Sequence, residues 1–173
     1  MSENIALLII DMQCGLLKRE VHNKQELINN INRLISLFVS KEVPVILTRH
    51  TNNNFSRENT EDWQIDSRIS SRAQSVLFDK SHSSIFKEKP FTSYLKNNNI
   101  TTLVITGLVS NGCVQAACQD AEKHGLSVIL IGDGHSTFHK DAEKTVIYWN
   151  SKLQEEGIKV ISTDEFCSQI SLS

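Results

Sequence analysis

An apolar segment, a small turn bracketed by glycines and the start of an amphipathic pattern follow one another in Thr102-Leu103-Val104-Ile105-Thr106-Gly107-Leu108-Val109-Ser110-Asn111-Gly112-Cys113-Val114. The β-branched and apolar residues from Thr102 to Thr106 predict a buried strand. Apolar residues then recur at helical spacing from Val114 onward, which predicts a helix. The stretch therefore predicts a strand–turn–helix unit with the thiol of Cys113 at the junction.

The same alternation of strand and helix continues along the chain. Apolar runs predict strands at Ile5–Ile10, Val43–Leu47, Val76–Phe78, Leu103–Thr106, Val128–Ile131 and Ile158–Ile161. Helical patterns lie between them, over Leu27–Phe38, around Phe91–Leu95, from Cys113 onward and from Asp141 to Glu155. The strands are continuously apolar, which is typical of a parallel sheet covered on both faces. We therefore predict a single three-layer α/β domain over residues 1–173.

Composition narrows the class of function. With 173 residues, 22% of them charged, and a formal net charge of −2, the chain has the make-up of an ordinary globular protein. It has no basic block, so we expect neither nucleic acid nor a membrane as a partner. It shows no signal-peptide pattern and no apolar run long enough for a membrane span, so we expect a cytoplasmic protein. The four cysteines form no C-x-x-C pair and no zinc spacing, so we expect free thiols.

One polar segment, Thr51–Arg72, is too long for an ordinary connection. Its aromatic residues Phe55 and Trp63 favour a lid or a pocket wall. A surface insertion with incidental aromatic residues explains the segment equally well.

Three chemically reactive side chains follow predicted strands: Asp11, Lys80 and Cys113. Sites in open parallel sheets form beyond the carboxyl ends of the strands, so we expect these residues to meet. A helix N-terminus and the Lys80 charge would both favour the Cys113 thiolate, and Asp11 could accept its proton. Taken singly, these residues could instead be a buried cysteine at a tight turn, a capping aspartate and an exposed lysine.

Together these motifs resemble the isochorismatase-like cysteine hydrolases. The similar segments are Asp11-Met12-Gln13, Lys80-Ser81-His82-Ser83-Ser84-Ile85-Phe86, Val104–Val114 and Asp133-Gly134-His135-Ser136-Thr137-Phe138. They occur in the family's order, and the resemblance covers residues 5 to about 165.

The resemblance implies a six-stranded parallel sheet of order 3-2-1-4-5-6 and a catalytic triad of Asp11, Lys80 and Cys113. It also implies a cis peptide bond between Leu108 and Val109, with an oxyanion hole formed by the backbone N–H groups of Val109 and Cys113. Cys113 would then attack a carbonyl carbon and form a thioester that water hydrolyses. Family members commonly assemble into homo-oligomers, for which Tyr148 and Trp149 are possible contact residues here.

Departures from named branches of the family restrict the reaction. Isochorismate-cleaving members lack the cysteine, so Cys113 argues against cleavage of a vinyl ether. Nicotinamidases have an Asp-x-His metal motif, whereas this chain has Thr48-Arg49-His50 with no carboxylate before the histidine. His135 and His139 have the i, i+4 spacing of one helical face but no acidic partner. We therefore expect no metal and no cofactor.

The predicted function is cysteine-dependent hydrolysis of an amide, ureido or carbamoyl C–N bond in a small molecule. Two alternatives stay open: a redox-active or peroxide-sensing thiol protein, and a non-catalytic binding member of the fold. The candidate pocket residues are Gln13, Cys14, His50, Phe55, Trp63, Phe86, Asn111 and Val114.

Overall fold

The computed structural model describes residues 4–70 and 75–171. The strands are β1 (Ile5–Ile10), β2 (Val45–His50), β3 (Val76–Lys80), β4 (Thr102–Leu108), β5 (Ser127–Ser136) and β6 (Lys159–Ile161). The helices are α1 (Cys14–Leu17), α2 (Lys24–Ser40), α3 (Lys89–Asn97), α4 (Gln115–Lys123), α5 (Ala142–Glu155) and α6 (Thr163–Ser171).

The strands form one six-stranded sheet in the order β3-β2-β1-β4-β5-β6, and every neighbouring pair is parallel. This confirms the predicted sheet. The central strand β1 pairs with β2 on one side and β4 on the other, and all six of its residues are buried. Because the strands are parallel, their carboxyl ends meet along one edge of the sheet.

Two apolar clusters cover the two faces of this sheet. Successive side chains of a strand point to opposite faces. Ile5, Leu7 and Ile9 of β1 accordingly join the cluster formed with α2 and α6, whereas Ala6 and Leu8 join the cluster formed with α3, α4 and α5. The protein therefore has the predicted three layers, with helices on both faces of the sheet.

The strands extend further at their carboxyl ends than their apolar runs predict. β2 continues to His50, β3 to Lys80 and β5 to Ser136, so polar residues expected beyond these strands end them instead. The helix predicted from Cys113 begins at Gln115, after an irregular helical turn over Ser110–Val114. Helices α1 and α6 were not predicted. Hydrogen bonding to neighbouring strands, rather than apolarity, determines where each strand ends.

The long polar segment is anchored at a few buried residues, namely Ser56, Trp63, Asp66 and Ile69, between exposed ones. It contains a short 3₁₀ turn at Glu61–Trp63 and an antiparallel bridge between Gln13 and Ile65. Residues 71 and 72, at the end of the predicted segment, lie outside the described residues. Its contacts with the residues after the carboxyl end of β1 place it beside the candidate site.

Within residues 4–70 and 75–171, no helix is long and apolar enough to cross a membrane. On α5, Ile147 and Tyr148 are exposed, whereas Trp149 packs against the apolar core. The homo-oligomer stays a prediction.

Gly107 allows the two central strands to approach closely. It pairs with Ile10 across β4 and β1 and has a positive φ of 117°. A Cβ atom at this position would overlap the backbone carbonyl oxygen of Ile10. The chain needs glycine here both for its backbone conformation and for the absence of a side chain.

We expect Gly107→Ala to lower the free energy of unfolding by well over about 1 kcal/mol, because the strained φ and the overlap with Ile10 add together. Gly125→Ala is the matched control, since Gly125 also has a positive φ, of 79°, but its Cβ would meet nothing within 4 Å. Urea unfolding of both variants measures the difference. Equal losses in the two variants would contradict the close approach.

Candidate active site

The site begins at the end of β1, where Asp11 has a left-handed backbone with φ of 52°. This conformation is uncommon outside glycine but is tolerated by aspartate. Thr48 of β2 fixes it: the Asp11 backbone N–H donates to Thr48 Oγ1 at 3.2 Å, and the Thr48 hydroxyl donates to Asp11 Oδ1 at 2.7 Å. Thr48 was not among the predicted site residues. The available signal in the sequence was a hydroxyl directly after the apolar run Val43–Leu47.

Lys80, the last residue of β3, contacts the other two predicted catalytic side chains. Its Nζ lies 2.9 Å from Asp11 Oδ2 and 3.1 Å from Cys113 Sγ. It also lies 3.1 Å from His50 Nδ1 and 3.2 Å from the backbone oxygen of His82. The Lys80 and Asp11 side chains are each only 1% exposed. The structure thus brings Asp11, Lys80 and Cys113 together in a buried ion pair beside a thiol.

The electrostatics of Cys113 differ from the sequence-based expectation of a stabilised thiolate. Burial, followed by the negative charge of Asp11, raises the pKa of Cys113 to about 12, although the Lys80 ammonium acts in the opposite direction. Burial alone lowers the pKa of Lys80, but the negative charge of Asp11 and the hydrogen bonds to Asp11 and Cys113 outweigh burial, so the net shift is upward. These directions describe a protonated thiol beside a charged Lys80.

His50 completes the environment of the Lys80 ammonium. It ends β2 and is half-buried, and burial followed by the Lys80 charge lowers its pKa. A neutral imidazole whose Nδ1 accepts from Lys80 carries its proton on Nε2. The expectation that His50 is a polar residue of the site agrees with this position.

The donor atoms do not fit a metal ion. One ligand atom from each of Asp11, His50 and Cys113 lies within 4.8 Å of the other two, and zinc binds all three residue types. The Lys80 ammonium, however, contacts all three at 2.9, 3.1 and 3.1 Å. A metal ion among these atoms would lie against that positive charge and be repelled. The cation in this cluster is therefore the side chain of Lys80.

Gln13 has a structural role in place of the expected substrate contact. Its Nε2 donates to the backbone oxygens of His50 and Trp63, at 3.0 and 2.9 Å, and its Oε1 accepts from the His50 backbone N–H at 2.8 Å. The side chain is fully buried. Both N–H groups of the amide are used, so Gln13 joins the end of β2 to the long polar segment.

The aromatic residues of that segment contact two arginines. Trp63 is mostly buried, donates from Nε1 to Thr51 Oγ1 at 3.0 Å, and lies under the Arg49 guanidinium, which is 3.5 Å from its ring centroid. Trp63 and Lys80 line one cavity of about 250 Å³. Phe55 lies under the guanidinium of Arg19. Trp63 therefore lies beside Lys80, whereas the pocket contact expected of Phe55 stays a prediction.

Phe86 lies elsewhere, which corrects its tentative assignment to the pocket. It is mostly buried and packs against Phe91 and His124, with ring centroids 5.2 and 4.8 Å away. His124 follows the C-terminal end of α4, whereas Cys113 precedes the N-terminal end. The nine residues of α4 lie between these two positions and span roughly 13.5 Å. The apolar character of Phe86 is explained by this core packing.

The turn containing Cys113 is held from β5 and α5. The Leu108–Val109 peptide bond is cis, as the resemblance implies. Ser110 Oγ lies 2.7 Å from His135 Nδ1, and His135 Nε2 lies 2.7 Å from Asn150 Oδ1. His135 belongs to β5, so His135 and His139 do not share a helical face.

A further contact holds the same turn at Asn111, two residues before Cys113. The exposed Asn111 accepts from the Thr137 hydroxyl at 3.1 Å, and Thr137 directly follows β5. Val114 is fully buried in the apolar core. The oxyanion hole at Val109 and Cys113 stays a prediction.

The sheet order and layers define a parallel three-layer α/β protein with a polar cluster at the carboxyl ends of its strands. The isochorismatase domain model matches residues 5–165. The chain belongs to the isochorismatase family of hydrolases.

A relative supports this assignment, and a solved structure shares the fold. The chain is 30% identical over 172 residues to isochorismatase family protein 2A of Dictyostelium discoideum, covering 98% of this chain and 83% of that protein. It is 29% identical over 133 residues to the N-carbamoylsarcosine amidase of an Arthrobacter species, covering 63% of this chain and 50% of that enzyme. A cysteine hydrolase structure from Pseudomonas syringae pv. phaseolicola 1448A has the same fold, with a TM-score of 0.91, 18% identity and coverage of 98% and 93%.

Stability should depend on pH through the buried histidine of β5. Burial lowers the pKa of His135, so below about pH 6.5 the unfolded chain binds a proton there that the folded protein does not. The free energy of unfolding should therefore fall as pH drops below about 6.5, by at most about 1.4 kcal/mol per pH unit for this residue. His50, whose pKa is also lowered, contributes with the same sign.

Urea unfolding between pH 7.5 and 5 measures this dependence. His135→Asn retains an acceptor for Ser110 but cannot titrate, so its stability should fall less steeply with decreasing pH than that of the wild type. An unchanged slope in His135→Asn would rule out a buried neutral histidine.

Proposed function

We propose that this protein hydrolyses a C–N bond of a small molecule, in an amide, ureido or carbamoyl group, with Cys113 as the nucleophile. The observation that supports it most directly is the Lys80 ammonium, 2.9 Å from Asp11 and 3.1 Å from the Cys113 sulfur. The cation thus contacts both a carboxylate base and a nucleophile, whose reactive atoms lie within 4.8 Å of each other. This arrangement meets the requirements of covalent catalysis by a thiol.

In the proposed reaction, Asp11 accepts the thiol proton as the Cys113 sulfur attacks the carbonyl carbon. The raised pKa of Cys113 means that the proton leaves during the reaction rather than before it. Lys80 already contacts the sulfur, so it stabilises the thiolate as the charge forms. Backbone N–H groups of Val109 and Cys113 receive the oxyanion.

The second half of the reaction releases both products. Asp11 returns its proton to the leaving nitrogen, the C–N bond breaks, and the acyl group remains on the sulfur as a thioester. Water then adds to the thioester carbonyl, giving a carboxylic or carbamic acid and the free thiol. One water molecule is consumed and no electrons are exchanged.

The comparisons favour this bond type. One relative is named an amidase, and one structural neighbour is described as a cysteine hydrolase. The three residues proposed for the chemistry are all present here and in contact, which favours an enzyme over a non-catalytic binding protein.

A redox role receives less support from the site. Redox-sensing cysteines depend on thiolate character, whereas burial and Asp11 raise the pKa of Cys113 to about 12. Cys118 is fully buried in the core, and burial raises its pKa as well. Neither thiol has the accessible, low-pKa environment of a peroxide sensor.

Cys113→Ala should lower kcat/KM for amide and ureide substrates by at least about a thousandfold, because the nucleophile is removed. Ammonia release from a panel of small amides and ureides is the assay. Rapidly quenched wild-type enzyme should show the mass of the acyl group on Cys113, and the variant should not. Cys167→Ala, which removes a thiol on α6, is the control and should retain activity. Undiminished turnover in both Cys113→Ala and Cys113→Ser would exclude the covalent mechanism.

Substitutions of Asp11 and Lys80 should separate the contribution of the ion pair to catalysis from its contribution to stability. Lys80→Met leaves Asp11 buried without its counter-charge and should cost about 3–5 kcal/mol of stability. The double variant Asp11→Asn/Lys80→Met removes both charges and should recover part of that loss. All variants, including Asp11→Asn alone, should lose at least about a hundredfold in kcat. A double variant that is as unstable as the sum of the single variants would argue against direct pairing.

A further inference from the structure

Three polar side chains behind the turn containing Cys113 form a continuous series of hydrogen bonds, the Ser110 network. Ser110 Oγ lies 2.7 Å from His135 Nδ1, and His135 Nε2 lies 2.7 Å from Asn150 Oδ1. Asn150, on α5, donates from Nδ2 to the Gly132 backbone oxygen at 3.0 Å. Ser110 and His135 are buried, and Asn150 is half-buried. The network therefore ties the turn to both β5 and α5.

Each hydrogen bond of the Ser110 network has a defined direction. Because the Asn150 amide nitrogen donates to Gly132, its carbonyl oxygen faces His135 and can only accept. His135 therefore carries its proton on Nε2, and its Nδ1 accepts from the Ser110 hydroxyl. Burial lowers the pKa of His135, which favours this neutral imidazole. The Ser110 hydroxyl is thus held in one orientation.

The residue that this network holds adjoins a proposed oxyanion donor, Val109. The Val109 carbonyl oxygen accepts from the backbone N–H groups of Gly112 and Val114 at 3.0 and 3.2 Å. Ser110, tied to His135, fixes the other end of the peptide group that carries this oxygen. In the part of the chain that the structure describes, no hydrogen bond uses the Val109 backbone N–H. Val109 is therefore held in place while its N–H stays available.

We propose that His135 and Asn150 are positioning residues, which act through Ser110 to aim the Val109 backbone N–H at the oxyanion formed on Cys113 attack. This inference rests on the proposed function, because the oxyanion belongs to that reaction. A donor that is already in place stabilises the developing charge without reorganisation. The network touches no substrate in this role, so its loss should lower kcat and leave KM nearly unchanged.

The test compares two substitutions of His135 that each keep one half of the network. His135→Asn places an amide oxygen near the position of Nδ1 and retains an acceptor for Ser110, whereas His135→Gln places its amide near Nε2 and retains only the bond to Asn150. His135→Gln should lower kcat about 10- to 100-fold, and His135→Asn by much less, because only the former releases Ser110. Ammonia release from the amide or ureide that the wild type hydrolyses fastest is the assay.

Two further variants separate positioning from a general loss of stability. Ser110→Ala removes the tether with a small change of side chain and should lower kcat as His135→Gln does. Leu153→Val is the matched control, since Leu153 is fully buried on the same helix as Asn150 and takes no part in the network. It should leave kcat unchanged. Equal losses of kcat in His135→Asn and His135→Gln, or an unchanged kcat in Ser110→Ala, would overturn the positioning role.

A second readout distinguishes failure of this inference from failure of C–N hydrolysis. If no compound releases ammonia, hydrolysis fails for the panel, and ¹³C-labelled acetaldehyde then tests the network. The Cys113 thiol adds to the aldehyde carbon, a C–S bond forms, and the thiol proton moves to the oxygen, which takes the oxyanion position. Weaker adducts by ¹³C NMR in His135→Gln and Ser110→Ala than in His135→Asn support the positioning role. Equal adducts in the three variants, or none in the wild type, overturn it.

Discussion

The buried ion pair between Lys80 and Asp11 is the constraint on which the site depends. Both side chains are almost completely removed from water, and the effective penalty for burying each charge is several kcal/mol. The pair is sustained by its 2.9 Å contact and by further hydrogen bonds from Thr48 to Asp11 and from Lys80 to the His82 carbonyl. The half-buried Cys113 thiol beside this pair has a base and a cation within reach.

The parallel sheet provides this geometry because its carboxyl ends form a single edge. β1, β2 and β3 contribute Asp11, His50 and Lys80 to that edge, while the turn after β4 contributes Cys113. The strands must also approach closely, and Gly107 permits the backbone of β4 to lie against that of β1. Fold and chemistry are linked at this point, since a side chain at residue 107 would displace the strand that leads to Cys113.

Several features were predictable from the sequence because they depend on local patterns. Continuous apolarity in β1 predicted a covered parallel strand, and the stripe Leu27–Phe38 predicted α2. The contact among Asp11, Lys80 and Cys113 was predictable because each residue follows an apolar run. The structural role of Gln13 was not, since an isolated glutamine after a strand gives no sign of the backbone groups that it will bind.

The amino-acid sequence was sufficient to predict the three-layer α/β architecture, the order of the strand–helix units and the polar residues near the strand ends, because these depend on short-range patterns. Tertiary structure alone decided the protonation of the site. A helix start and a nearby lysine predicted a thiolate, but burial and the Asp11 charge raise the pKa of Cys113 to about 12. The balance among desolvation, attraction and hydrogen bonding depends on distances of a few ångströms between residues far apart in the chain, which no local pattern specifies.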